Sequence, residues 1–311
     1  MVSRSWDLAS SASSNRRPMI VDVRHGSRVP APHESVEHVI DERTRTEAAT
    51  IAAVRRLLAD RHMAAAFQPI WNLETRRVIG YEGLARPGEE YGFTTPYEAF
   101  AGAARLGRIE ELDALCRQAV LAQLDGFPGD VLLFLNLAPE VFDHDDQMGR
   151  RLQREVAAAG MRPEQVVLDL TEIAGERLDL AQVRGLGDLG FHLALDDVGS
   201  GDSGPGLLGA VRPEYVKVDR EVLFSARDGG PGSAVLTAVV TYAARSGAIV
   251  IAEGIETEEI LHRLLSETRR LGQGAHLVGG QGYLLGRPSN DPGWRAAEAA
   301  RWPLSGSLVD I

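Results

Sequence analysis

Acidic and amide side chains recur in this sequence at one kind of place, at or just past the end of a short apolar run. Glu82 interrupts Val78–Ala85, Asn136 lies near the end of Val131–Leu137, and Asp169 and Glu172 close Val166–Thr171. Asp196 and Asp197 fall in Phe191–Val198, Lys217 and Asp219 at Tyr215–Val218, Glu253 and Glu256 after Ile249–Ala252, and Gln281 in Leu277–Tyr283. A single acid after a strand is usually the N-cap of the next helix, and Glu172 and Glu256 fit that simpler role. Capping does not explain carboxylates or amides after so many runs. Four or more converging carboxylates repel one another at neutral pH unless cations sit among them. Ligands that are all oxygen favour Mg²⁺, Mn²⁺ or Ca²⁺ over zinc. The adjacent Asp196 and Asp197 offer a bridge between two ions, and ions paired about 3.5–4 Å apart are the arrangement that hydrolyses phosphodiesters. Lys217 has two compatible readings: a buried counter-charge to Asp219 or Asp196, or a group that orients a water and offsets phosphate charge.

To converge, these residues need a scaffold whose strand ends all open on one face. Counting Ala64–Trp71 with the runs above gives close to eight strands, and helical stretches such as Glu111–Leu124, Ala234–Ala244 and Glu258–Leu271 separate most of them. Strands alternating with helices pair in parallel, and the count favours a TIM-like (β/α)8 barrel over an open sheet. In such a barrel the active site lies at the C-terminal ends of the strands. The first two runs are joined by a short turn at Asn72–Arg77 instead of a helix, so the first strand is expected to be antiparallel. Ile51, Val54, Leu57 and Leu58 predict a helix ahead of the barrel, and Trp294–Arg301 predicts one that closes it. Residues 1–44 are rich in Ser, Arg, Pro and acids with little periodicity, and read as a flexible N-terminal segment in which His25, His33 and His38 are simply solvated. That leaves one domain over residues 45–303 and a tail over 304–311.

Composition narrows the partners. The chain has 311 residues, 44% of them hydrophobic, enough for a sizeable core, and a net charge of −11. That charge argues against general DNA or anionic-membrane binding, both of which want a basic face. It leaves an anionic substrate open, because cations held by acids reverse the local field. Cys116 is the only cysteine, which rules out an internal disulfide, and its neighbours Leu112, Leu115 and Val120 mark it as a core residue. No apolar run reaches the roughly 18 residues of a membrane span, so the expected location is the cytoplasm.

One pattern points elsewhere. Gly199-Ser-Gly201-Asp-Ser-Gly204 fits the glycine fingerprint of a dinucleotide-binding turn. It is set aside because Asp196 and Asp197 precede the glycines, where a pyrophosphate would meet uncompensated negative charge. The stretch Pro205–Pro213 is also too short and too broken for the helix such a turn opens. A mobile glycine loop beside the active site is the expectation instead.

Taken in order, Phe67-Gln-Pro-Ile70, Tyr81-Glu-Gly-Leu-Ala-Arg86, Phe134-Leu-Asn-Leu137, Leu168-Asp-Leu-Thr-Glu172 and Leu195-Asp-Asp-Val-Gly-Ser-Gly201 resemble the EAL family of cyclic di-GMP phosphodiesterases. So do Val216-Lys-Val-Asp-Arg220, Ile251-Ala-Glu-Gly-Ile-Glu-Thr257 and Gln281-Gly-Tyr-Leu-Leu-Gly-Arg-Pro288. The resemblance implies cyclic di-GMP as substrate, linear pGpG as product, and Mg²⁺ or Mn²⁺, two ions in all. It implies metal ligation by Glu82, Asn136, Asp169 and Asp196, with Asp197 and Glu253 serving the second ion. Lys217 resembles the water-positioning lysine and Glu172 the brace of the glycine loop, while Gln68, Leu84, Arg86, Glu256 and Gln281 line the substrate groove. It further implies a homodimer and leaves room for a regulatory protein partner. Three positions depart from the family: Gly83 replaces the usual alanine, Asp169 the usual glutamate and Val198 the usual phenylalanine. An aspartate at 169 must reach its ion with one methylene less, and valine at 198 implies a looser loop. An active phosphodiesterase is the expectation; a cyclic di-GMP receptor or interaction module with weak or no catalysis is the alternative.

Overall fold

One asparagine shapes the first hairpin. Asn72 Oδ1 accepts hydrogen bonds from the backbone N–H groups of Glu74 (3.0 Å) and Thr75 (2.7 Å), so the side chain itself closes the turn. The turn joins β1 (Met63–Asn72) to β2 (Arg77–Pro87) in antiparallel register, from Met63 opposite Pro87 to Asn72 opposite Arg77. The structure, a computed structural model, describes residues 47–142, 147–171, 179–199, 205–225, 230–270, 277–294 and Trp302.

After the hairpin, β3 (Leu132–Leu137), β4 (Val166–Thr171), β5 (His192–Val198), β6 (Tyr215–Val218), β7 (Ile249–Ala252) and β8 (Leu277–Gly280) continue the sheet in chain order. Every neighbour from β2 to β8 is parallel, and β1 pairs antiparallel with both β2 and β8, closing the barrel. The expected barrel with its antiparallel first strand is thus the observed one. Each strand lies on its apolar run. The last run is the exception, because β8 stops at Gly280 where sequence periodicity runs on to Tyr283. A side chain at Gly282 would meet the backbone of Ile255 at 2.3 Å, so the chain there runs directly against the segment that follows β7, to which it is hydrogen-bonded.

Helices wrap the outside. The helix over residues 47–60 (α1) matches the Ile51–Leu58 pattern, and α2 (Pro96–Leu106) and α3 (Ile109–Leu121) pack on it. Thr95 caps α2 and Asp179 caps α5 (Leu180–Asp188), each by accepting from backbone N–H groups two or three residues on. Between them α4 (Met148–Ala158) packs against α3 and α5; α6 (Pro205–Val211), α7 (Arg220–Ser225), α8 (Pro231–Ser246) and α9 (Glu258–Arg270) follow the later strands. The α6 helix, at seven residues, is as short as the glycines and prolines around it suggest. Among the described residues no helix is long and apolar enough to cross a membrane. The segment 1–44, most of the closing helix Trp294–Arg301, the glycine loop from Ser200 to Gly204 and the tail 304–311 lie outside the described residues.

Apolar side chains bury themselves in two places. Most fill the shell between strands and helices, where Leu133, Leu135, Val166, Leu168, Val216 and Val250 meet the helical faces. Ile70, Phe134, Val167, Ala194, Tyr215 and Ile251, one from each of six strands, form a separate plug inside the barrel. Gly80 leaves space for it: a Cβ at that position would lie 2.7 Å from the Phe134 ring.

Candidate functional site

Side chains along a strand alternate in direction, so the residue two places beyond an inward-facing one also faces inward. That rule carries the plug into the site. Asn136 follows Phe134, Asp169 follows Val167, Asp196 follows Ala194, Lys217 follows Tyr215 and Glu253 follows Ile251. On β2 and β8 the same step leads from Gly80 to Glu82 and from Gly279 to Gln281; on antiparallel β1 it leads back from Ile70 to Gln68. All eight strands therefore bring one polar group each to the C-terminal mouth.

Asp197 breaks the alternation and still joins the site. The β5–β6 register shifts between Leu195 and Val198, and Asp197 sits at φ 57°, a left-handed conformation that costs a non-glycine residue strain. This bulge turns two consecutive aspartates toward one mouth. Asp197 N–H donates to Asp196 Oδ1 at 2.9 Å, which fixes the kink.

Lys217 stands at the centre, 1% exposed. Its Nζ lies 2.8 Å from Asp169 Oδ2, 2.8 Å from Glu253 Oε1, 3.1 Å from Asp196 Oδ1 and 3.6 Å from Glu82 Oε1. Burial works against its charge, but the surrounding carboxylates win and hold the ammonium well above its ordinary pKa. One cation does not satisfy them all. Burial, reinforced by Asp196, pushes Asp169 well above the carboxylate range; Glu253 is pushed well above it and Asp196 above it, mainly by burial. Burial and the neighbouring Asp196 bring Asp197 to about 6. Glu82 goes the other way: burial would raise it, but Lys217 and hydrogen bonds from Asn136 and Gln281 lower it.

Amides hold the opposite side. Asn136 Nδ2 donates to Glu82 Oε1 at 3.0 Å, and Gln281 Nε2 donates to Glu82 Oε2 at 2.6 Å and to Gln68 Oε1 at 3.1 Å. Gln68 Nε2 in turn donates to the Gly286 carbonyl at 3.0 Å. The two glutamines thus tie Glu82 across the β1–β8 seam, in addition to any contact with a ligand.

Two groups of carboxylate oxygens lie mutually within 4.8 Å: Glu82, Asp169 and Asp196, and Asp196, Asp197 and Glu253. They share Asp196: the first group holds three of the four ligands expected for one ion, and the second adds Asp196 to the pair expected for the other. Among the described residues the donor set is all oxygen, carboxylates outnumber the one ammonium, and the buried Asp169 Oδ1 has no hydrogen-bond partner. These residues fit divalent cations. The shorter Asp169 reaches the common cluster.

Beside the carboxylates opens a cleft of about 770 Å³, whose wall includes Leu84, Arg86, Asn136, Asp169 and Asp197. Its apolar side comes from α2 and α3, through Ala99, Phe100, Ile109 and Leu112, which sequence reasoning did not assign to the site. Only helical amphipathicity marks them, and that signal does not separate a core face from a cleft wall. Cys116 borders both the cleft and the α1–α3 core, with burial pushing its thiol up to about 12. Glu256 is exposed at the rim, where it pairs with Arg220 at 3.0 Å; Thr257, not Glu256, caps α9. Glu172 lies outside the described residues.

Fold and site together define a class: a closed α/β barrel whose first strand runs backwards and whose mouth is an all-oxygen acidic cluster around a lysine. The EAL domain profile matches residues 51–279, and the chain belongs to the EAL family. It is similar to the probable cyclic di-GMP phosphodiesterase PdeI of Escherichia coli strain K12, 25% identical over 78% of this chain and 30% of PdeI. It is also similar to the blue light- and temperature-regulated antirepressor BluF of the same strain, 25% identical over 62% of this chain and 48% of BluF. The chain spans less than half the length of these curated relatives. The solved structure of Klebsiella pneumoniae BlrP1 with manganese and cyclic di-GMP superposes at a TM-score of 0.61 with 31% identity, covering 73% of this chain and 56% of that one. The dinucleotide-binding alternative falls with the fold, since the glycine pattern lies between β5 and β6 of a barrel.

Proposed function

We propose that this domain hydrolyses one phosphodiester bond of cyclic di-GMP, giving linear pGpG, with two divalent cations, Mg²⁺ or Mn²⁺. The observation that carries the reading is the excess of buried carboxylates around Lys217, split into two groups that share Asp196. Glu82, Asn136, Asp169 and Asp196 would hold one cation, and Asp196, Asp197 and Glu253 the other. Cations bound there supply charge to the phosphoryl oxygens and lower the pKa of water. Lys217 Nζ keeps its proton and its place among Asp169, Glu253 and Asp196, so it offers a fixed positive charge beside the reacting phosphate. Arg86 on the cleft wall suits a phosphate oxygen, and Leu84 with the apolar face of α2 and α3 suits a flat base. Gln281, itself held by Gln68, keeps Glu82 in orientation, and these two amides with the exposed Glu256 would meet the guanine edges. Glu172 as brace of the glycine loop, a homodimer, a regulatory partner and a cytoplasmic location complete the reading on family resemblance alone.

A receptor without turnover is the second reading. It is favoured by Asp169 in place of glutamate and by Lys217, which sits among the carboxylates in the position a cation would contest. Incubating the purified protein with cyclic di-GMP and Mg²⁺ or Mn²⁺, followed by chromatography, separates the two. Linear pGpG that disappears with a chelator supports the enzyme; intact substrate with metal-independent binding would replace it with the receptor.

A further inference from the structure

The α3 helix reaches the site through a residue that none of the motifs contains. Gly83 follows Glu82 on β2 and faces away from the mouth, toward α3. A Cβ there would lie 2.4 Å from Val120 Cγ1 and 3.1 Å from Val120 Cγ2, so helix and strand touch more closely than any side chain at 83 permits. Further back on the same helix, Asp113 Oδ1 accepts a hydrogen bond of 2.9 Å from the Ala138 N–H. Ala138 is the first residue past β3 and stands two positions after Asn136.

Asp113 is 2% exposed and Arg117, one turn on, is 1% exposed; the two form an ion pair. Arg117 Nε also lies 3.2 Å from Glu155 Oε2 on α4. Burying an ion pair costs several kcal/mol of desolvation, about as much as the attraction returns, so such a pair is weak as a source of stability. What it does here is geometric: Arg117 anchors Asp113 between two helices, and Asp113 fixes the direction of the chain where β3 ends. Asn136, just before that point, donates to Glu82 at 3.0 Å.

We propose that Asp113 is a positioning residue for the site, holding the end of β3 so that Asn136 meets Glu82 in the geometry that binds a cation. The inference rests on the cation-binding reading above. The test titrates Mn²⁺ by calorimetry into the full chain without nucleotide, so that no substrate contact enters. Asp113→Ala removes the acceptor and should weaken Mn²⁺ about 10–100-fold, the usual cost of losing an outer-shell partner. Asp113→Asn keeps an oxygen for the Ala138 N–H and should bind Mn²⁺ close to wild type. Should Asp113→Ala not fold, Asp113→Leu combined with Arg117→Met removes the acceptor and both halves of the ion pair together, and should show the same loss. Amide exchange at Ala138 should be faster in the alanine or double variant and unchanged in Asp113→Asn. Wild-type Mn²⁺ affinity in a variant lacking the acceptor would overturn the inference alone, as would an asparagine variant as weak as the alanine one. A wild type that binds no Mn²⁺ would overturn the cation reading, and the inference with it.

Discussion

Ile70, Phe134, Val167, Ala194, Tyr215 and Ile251 plug the barrel, while two positions along the same strands Gln68, Asn136, Asp169, Asp196, Lys217 and Glu253 crowd its mouth. Backbone and strand set are shared by the two levels; only the side-chain chemistry differs. The lower level is apolar and fully packed, and it favours folding. The upper level holds carboxylates that burial pushes toward protonation, around one lysine, and it opposes folding until something positive joins it. A rigid floor two residues below is what allows so unfavourable a layer to keep its geometry.

Cutting into the floor should give the largest effect. Phe134→Ala removes the fully buried ring of the plug and should destabilise by about 3–5 kcal/mol, read by chemical denaturation, with hydrolysis lost only as the protein unfolds. A folded Phe134→Ala protein without hydrolysis would show that the two levels are not separable. At the mouth the order reverses. Asp196→Asn should cut hydrolysis by at least about 100-fold, roughly 2.7 kcal/mol in the barrier, while the melting temperature in chelator stays level or rises, because one crowded carboxylate is gone. Hydrolysis at the wild-type rate in that variant would remove Asp196 from the site.

Mn²⁺ sharpens the contrast. At a hundredfold excess over its dissociation constant it should add about 2.7 kcal/mol of stability, a melting shift of roughly 4–5 °C for a chain of this size. The shift should vanish with chelator and shrink in Asp196→Asn, yet persist in variants of the floor. An equal shift in all of them would place the ion elsewhere. The smallest effect concerns the contact behind the mouth. Gly83→Ala should cost about 1–3 kcal/mol by overpacking against Val120, and Val120→Ala should restore part of it when the two are combined. Simple additivity of the two losses would mean that β2 and α3 do not meet as described.

The strands and the inward polar residues were legible because both follow the two-residue period, which is local. Glu82, Asn136, Asp169, Asp196, Lys217 and Glu253 could each be marked from its place at a strand end. Asp113 and Arg117 were not, since an aspartate four residues before an arginine on a helix looks the same in sequence whether it faces water or a strand end. The roles of Gln68 and Gln281 were only half legible. Their place in the motifs marks them for the groove, but the hydrogen bonds of Gln281 to Gln68 and to Glu82 span 213 and 199 residues of sequence.

By itself the sequence determined the barrel, its reversed first strand and the acidic character of its mouth, because periodicity, turn chemistry and residue type act over a few neighbours at a time. Tertiary structure alone decided that the carboxylates fall into two groups sharing Asp196, that Lys217 meets Glu82, Asp169, Asp196 and Glu253, and that Asp113 reaches the end of β3. These are matters of closure. The barrel's stagger and the bulge at Asp197 set which strand ends meet, and distances across a closed ring are not written in any stretch of the chain.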